Sequence, residues 1–375
     1  MAAADEVTVE DLTDDPHPHW HLLRAQAPVA WVPALQGWVV TGYHLAASVL
    51  RDAATFTVDD PRFSTGQLFG PSMLSTDGAA HARFRAAFAG AFKPAQIRSQ
   101  FAGFIEGTLD RLMDGASSPT EVRRAIAGPL AVAVMARVLG LARLQPAMLL
   151  DWYAQLAAGV NRLSVGQPAG QDAVAAHSAL SDELARAFRQ HRALVTSNGL
   201  SLDEAVANAG ILLFGGIETT EGMIALAVWH LLAEPAGLAR VSAEPGLIDV
   251  AVEESLRLEP AATRVDRYAT RDVDLGGVKI ASGSLVIVSL AAANRDPAVF
   301  SEPDRFDLSR QNSHRNLALA AGPHFCLGAH LTRLQTRTVL QRIARQWPSA
   351  ELDQARSTQP VGLVFRKPDR VIVRH

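Results

Sequence analysis

The stretch from Ser201 to Pro235, "SLDEAVANAGILLFGGIETTEGMIALAVWHLLAEP", limits the choice of fold more than any other part of the chain. Ser201 and Glu204 form a capping-box pattern, in which a hydroxyl and a carboxylate satisfy the first free N–H groups of a helix reciprocally. Pro235 stops the helix, because proline has no N–H to donate and its ring clashes with the preceding turn. A helix of about thirty residues is about 45 Å long, enough to cross a whole domain. Its residues are apolar almost all round rather than along one stripe, so protein must surround it. A chain built on such a rod is mainly helical, with other helices laid against the first.

The remaining patterns agree. Helical spacing governs from about His44 to about Leu258. β-type segments cluster toward the ends: "VAWVPALQGWVVTGY" (29–43) reads as a hairpin around Leu-Gln-Gly. "RYATRDVDLGGVKIASGSLVIVSL" (267–290) and "VGLVFRKPDRVIVRH" (361–375) alternate and turn like small sheets. The expected class is therefore mainly α with small β-sheets. "FTVDDPRFSTGQLFGPSMLSTDG" (56–78) is too long for a simple connection, and loops of that size are often functional. Length alone suggests roughly two or three domains, yet no linker or repeat divides the 375 residues. Residues 1–28 read as an acidic N-terminal segment and 29–375 as a single domain.

Composition excludes several classes. With 48% hydrophobic and 19% charged residues the chain is a globular, soluble type. A net charge of −3 carries no basic signature for nucleic acid. "MAAADEVTVEDLTDDPHPHW" is unlike a signal peptide, and no uninterrupted apolar run reaches the ~18 residues of a membrane anchor. A cytoplasmic location is expected.

One cysteine, Cys326, lies in "AAGPHFCLGAH" (320–330), and a lone cysteine excludes an intramolecular disulfide. A free cysteine is ordinarily a small buried hydrophobe. Here Gly322 and Gly328 permit left-handed backbone and close approach to a flat ligand. The run "AHLTRLQTRTVLQRIA" starts a helix directly after the sulfur, and a helix N-terminus favours the thiolate. Structural zinc and iron–sulfur sites need more ligands than one thiolate, whereas haem needs a single strong axial one. At this point two readings stay open: a haem ligand, or an idle buried thiol.

"GPHFCLGAHLTRLQ" resembles the haem-binding loop of the cytochrome P450 superfamily, the haem-thiolate monooxygenases, whose pattern is Phe-Gly-x-Gly-x-His-x-Cys-x-Gly. Cys326 takes the place of the iron ligand, and Gly322, His324 and Gly328 fit. Leu319 stands where Phe is usual and Ala320 where the first Gly is usual. The resemblance runs from about residue 29 to the C-terminus and implies a helical fold around a buried haem b (iron-protoporphyrin IX).

It implies more along the chain. "EESLRLEP" supplies the family's Glu-x-x-Arg as Glu254 and Arg257, which share a helix face, and "PDRF" places Arg305 as the third member of a buried charge clamp. The same spacing at Glu121/Arg124, Glu183/Arg186 and Glu302/Arg305 reads as ordinary solvated charge. In "LLFGGIETTEG" (212–222), Gly215 and Gly216 invite a local distortion one turn before Thr219. The bland reading of Thr219 is a hydroxyl bonded back to a carbonyl four residues earlier. The resemblance implies instead an acid–alcohol pair, Glu218 and Thr219, delivering protons during dioxygen activation. His81 and Arg85 in "STDGAAHARFRAAF", with Arg267 and His324, resemble the donors that hold the haem propionates. Phe214, Ile217, Ala262 and Thr263 resemble substrate-pocket positions, as do the 56–78 loop and "GLVF" (362–365).

The implied activity inserts one oxygen atom from O2 into a hydrophobic small molecule, by hydroxylation or a related oxidation in natural-product metabolism. The chain leaves no room for a fused reductase, so a separate ferredoxin or flavodoxin is the implied electron donor. Arg333 and Arg337 on the helix after Cys326 are either steering charges for it or a solvated face. Two further readings remain beside the idle thiol. One is a peroxide-driven peroxygenase, against which Glu218 and Thr219 argue. The other is a non-catalytic haem or ligand-binding protein.

Overall fold

A computed structural model describes residues 3–141, 145–190 and 199–375, so Met1 and Ala2 of the acidic segment lie outside the described residues. At its centre is the expected helix, Leu202–Ala233. Ser201 Oγ accepts from Glu204 N at 3.2 Å, and the Glu204 carboxylate accepts from Ser201 N at 2.9 Å. This helix is long and apolar enough to cross a membrane by composition, but 78% of its apolar window is buried inside the protein. It runs as one α-helix through Gly215 and Gly216, so the expected distortion is absent. The two glycines do different work. A Cβ at Gly216 would sit 2.5 Å from Met135 Sδ, while one at Gly215 would meet nothing within 4 Å.

Helices Gly128–Val138, Pro146–Leu163, Gln171–Gln190, Leu247–Leu258 and Ala329–Gln346 pack against this rod and share one large apolar core with it. The principal sheet has five strands in the order Val29–Val32, Gly37–Val40, Leu285–Ser289, Arg264–Ala269, Phe56–Thr57. The first two form the expected hairpin, with Trp31 opposite Trp38 and Gln36 at φ 48° in the turn. Three smaller sheets complete the β structure among the described residues, including the expected pairing of Val273–Leu275 with Val278–Ile280. The class is mainly α with small sheets, as the patterns predict.

The acidic segment does not stand apart. Its helices, Ala3–Glu6, Val9–Asp14 and His17–Gln26, put Ala4, Val7, Leu12, Trp20 and Leu23 into a cluster with Val39, Ile287 and Leu363. Arg366 donates to the carbonyls of Thr13 and Asp14, at 2.8 Å each. His17 Nε2 lies 2.8 Å from Glu259, a buried carboxylate also approached by Arg366 and Arg295 at 3.4 and 3.8 Å. Burial alone would raise the Glu259 pKa, but His17, Arg295 and Arg366 together hold it at about 2. A few apolar side chains on one face suffice to seat a segment whose composition is otherwise acidic.

The charge clamp exists with one member changed. Glu254 and Arg257 are wholly buried and pair twice, each contact 2.8 Å. Their third partner is Arg310, not Arg305. Arg310 Nε donates to Glu254 Oε1 at 2.8 Å, and its side chain is 4% exposed. The Arg305 side chain is 59% exposed and lies 3.7 Å from Glu302, on the surface. Only the backbone carbonyl of Arg305 enters the clamp, accepting from Arg257 Nη2 at 3.0 Å. "PDRF" turns its arginine outward while Asp307 N, two residues on, donates to Glu254 at 3.0 Å. Arg257 Nη1 also ties down the carbonyls of Asn294 and Pro303, at 3.0 and 2.7 Å. The clamp therefore pins the segment leading to Cys326.

Candidate active site

The helix before and the helix after the cysteine do not touch the sulfur; a short loop presents it. Cys326 N donates to Leu319 O at 2.9 Å and Phe325 N to Gly322 O at 3.0 Å, closing the loop on itself. Gly322 has φ 71°, and a Cβ there would lie 2.5 Å from Leu50 O, so the backbone must be bare at that point. Gly328 is not left-handed. Its N–H points at the Cys326 sulfur, a bond any residue but proline could make.

Ala320 sits at φ 59°, a left-handed conformation costing about 1–2 kcal/mol for a residue with a Cβ. Glycine, usual at this position in relatives, would carry no such cost. Ala320→Gly is therefore expected to raise stability by up to about 1 kcal/mol, seen as a higher denaturant midpoint with unchanged slope.

A cavity of about 300 Å³ lies between this loop, the central helix and the principal sheet. Cys326 and Gly328 line it, together with Gly215, Thr219 and Thr220 of the central helix. The rest is largely apolar, including Phe63, Phe92, Met135, Phe214 and Phe365. Phe214 and Ala262 line it as expected. Ile217 and Thr263 do not. Ile217 is turned into the core, because Gly215 and Thr219, four residues apart, occupy the cavity face. Thr263 spends its hydroxyl on Leu363 O at 2.6 Å. The 56–78 loop contributes Val58, Phe63, Ser64, Thr65, Met73 and Leu74, and the C-terminal "GLVF" contributes Val364 and Phe365.

Thr219 Oγ1 donates to Gly215 O at 2.5 Å, the back-bond of the bland reading. Glu218 does not reach the cavity. It faces the other way, 2.6 Å from Lys367 Nζ. Lys367 is shared with Glu221 at 2.7 Å, and Glu221 lies 2.9 Å from Arg123, which reaches Asp369 at 3.0 Å. Spacing could not show Lys367, which arrives from the C-terminal strand pair.

Burial pushes the Cys326 thiol up, against the opposing pull of the Gly328 N–H, Arg85 and Arg333. Backbone donors and cations thus fail by themselves to make the thiolate expected from the helix N-terminus. A bound cation would deprotonate it outright. Among the described residues no group of three or more His, Cys, Asp or Glu could hold a bare metal ion. A metal at Cys326 must bring its other ligands with it, as the iron of a macrocycle does.

The expected propionate donors are brought together unequally. Arg85 and Arg267 line the cavity. Arg85 Nη2 donates to Phe325 O at 2.6 Å, and burial lowers its pKa. Arg267 is pushed down by burial to about 10 and stays cationic at neutral pH. His324 lines the cavity, but its Nε2 is 2.8 Å from Asp77 Oδ1. Burial would raise the Asp77 pKa, but bonds from His324, Thr57 and Val58 hold it at about 2, so the carboxylate accepts and His324 donates. Asp77, not singled out in the sequence, therefore orients that ring. His81 is one layer back. Its Nδ1 donates to Met73 O at 2.8 Å, and its ring packs 4.3 Å from that of His324.

Arg333 and Arg337 are both paired, with Glu253 at 2.5 Å and Asp249 at 3.3 Å, so neither is a free steering charge.

Comparison with known proteins agrees with this geometry. The family model described as Cytochrome P450 matches residues 176–369. The biotin biosynthesis cytochrome P450 of Bacillus subtilis (strain 168) is 31% identical over 375 residues, covering 94% of this chain and 94% of that protein. Cytochrome P450 monooxygenase PikC of Streptomyces venezuelae is 31% identical, covering 92% of this chain and 86% of its own. The crystal structure of P450BioI in complex with an acyl carrier protein ligated to hexadec-9Z-enoic acid superposes with a TM-score of 0.88 at 27% identity, covering 98% of this chain and 100% of that one. The chain belongs to the cytochrome P450 family and is a haem b-dependent monooxygenase.

Proposed function

We propose that this protein inserts one oxygen atom from O2 into a hydrophobic small molecule of natural-product metabolism, with electrons from a separate ferredoxin or flavodoxin. The observation that carries the reading is one apolar cavity whose wall holds both Cys326 and the Thr219 hydroxyl. Haem bound through Cys326 would supply the one-electron and O2 chemistry, with Arg85 and Arg267 as the donors to its propionates, the single N–H of His324 being given to Asp77. The chain supplies ligand, shape and protons. Apolar walls exclude water and favour an apolar substrate. Because the Thr219 proton is committed to Gly215 O, the hydroxyl oxygen turns lone pairs toward the cavity and accepts a hydrogen bond from a protonated group there. The resemblance also gives Glu218 a part in proton delivery, but its carboxylate is held by Lys367 on the side away from the cavity, so Thr219 carries that role at the cavity wall.

Two relatives support the substrate class: the B. subtilis biotin biosynthesis enzyme and the nocardicin C N-oxygenase of Nocardia uniformis, 32% identical over 364 residues. Turnover in the presence of NAD(P)H, ferredoxin and reductase is the direct test, and turnover with peroxide alone would replace the reading with a peroxygenase. Thr219→Ala is expected to raise peroxide released per product several-fold while leaving substrate affinity unchanged, and Thr219→Ser to restore coupling. Unchanged peroxide release in Thr219→Ala would remove the hydroxyl from the proton path.

A further inference from the structure

Arg264 and Asp266 line the cavity, yet neither is explained by the haem site. They stand on the strand Arg264–Ala269, which also carries Arg267. Arg267 lies three residues after Arg264, so the two point to opposite faces with about 10 Å of strand between them. Arg267 is within electrostatic reach of Asp77, the residue that holds His324. Arg264 instead donates from Nη2 to Ser164 O at 3.1 Å, just after the helix Pro146–Leu163.

Arg264 is 5% exposed and Asp266 9%. A guanidinium carries five N–H groups, and only the bond to Ser164 is made by this one. Its Nε and Nη1 are buried without partners, as is Asp266 Oδ1. The two side chains approach to 3.5 Å, close enough to neutralise each other but too long for a good hydrogen bond. Buried donors and acceptors left unmade are costly in an otherwise apolar wall, which makes them places where a ligand gains by completing them.

The charge balance decides which ligand. A carboxylate would suit Arg264 but crowd Asp266; an ammonium would do the reverse. Either leaves an uncompensated charge in an apolar setting. A neutral group presenting one acceptor and one donor side by side satisfies both orphans and adds no charge. We infer that Arg264 and Asp266 form a polar subsite for an amide group on an otherwise apolar substrate, its carbonyl accepting from Arg264 and its N–H donating to Asp266. The subsite deepens the monooxygenase reading, since it names the substrate class of that same cavity.

The test uses the haem-loaded protein and three probes of one chain length: dodecanamide, methyl dodecanoate and dodecanoate. Binding is measured by calorimetry and by the ferric absorption shift. The wild type is expected to bind the amide at least tenfold tighter than the ester, which lacks the donor, and than the carboxylate. Arg264→Met combined with Asp266→Leu removes both charges together and spares the fold the burden of one stranded charge. It is expected to bring the three affinities within about threefold of one another. Equal binding of the three probes by the wild type, tightest binding of the carboxylate, no measurable binding of the amide, or amide preference surviving in the double variant each overturn the subsite. The monooxygenase reading is checked separately by the ferrous–CO spectrum and coupled turnover. A normal spectrum with no amide preference therefore removes the subsite alone, while calorimetric ranking of the probes does not depend on turnover.

Discussion

Cys326→Ser is expected to lose the thiolate-type ferrous–CO absorption together with turnover. Serine keeps the shape of the loop: the backbone bonds from Cys326 N to Leu319 O and from Phe325 N to Gly322 O do not involve the side chain. What disappears is the cavity wall's single thiol, the side chain able to become a thiolate ligand. Outer partners of a metal ligand typically contribute about 10–100-fold, and removing the axial ligand itself should exceed that. The measurements are the reduced, CO-treated spectrum and product formed with ferredoxin and reductase. A retained thiolate-type spectrum would mean that another residue holds the iron.

The second large effect lies in the clamp. Glu254→Ala leaves Arg257 and Arg310 buried without their shared carboxylate, at a cost of about 3–5 kcal/mol. That is a large share of the roughly 5–15 kcal/mol by which proteins of ordinary stability stay folded. The yield of folded, haem-loaded protein should fall sharply, not merely its turnover. Arg310→Met is expected to destabilise clearly but by less, since Glu254 keeps Arg257 while one charge-assisted bond to it is lost and the carbonyls of Ser301 and Glu302 are released. Arg305→Met is expected to change stability by no more than about 0.5 kcal/mol, because only its backbone is used. Denaturation midpoints of the three variants separate the two arginines, and equal losses from Arg305 and Arg310 would contradict the assignment.

The arginine exchange shows where the sequence is readable. Glu254 and Arg257 are three apart on one helix, so their meeting follows from helical geometry alone. The third partner comes from an irregular stretch, where no period says which of Arg305 and Arg310 turns inward. The same boundary runs through the active site. Cys326, Gly322 and Thr219 announce themselves through local chemistry, and the buried central rod through its unbroken apolar surface. Ile217 lies two places from Thr219, which on a helix turns it away from the cavity face and into the core. Thr263 gives its hydroxyl to the carbonyl of Leu363, a hundred residues away. Asp77 and Lys367 matter only through partners far along the chain, His324 and Glu218 respectively. Pairings of that kind are set by tertiary packing, which local patterns do not encode.

The knot at Glu259 has a wider meaning. It gathers His17 from the start of the chain, Arg295 from the middle and Arg366 from near the end, and Arg366 directly follows Phe365 of the cavity wall. The opening helices therefore act as a backstop for the binding chamber, although none of them supplies chemistry. Removing them is therefore expected to loosen the wall at Phe365 and shift ligand selectivity as well as stability.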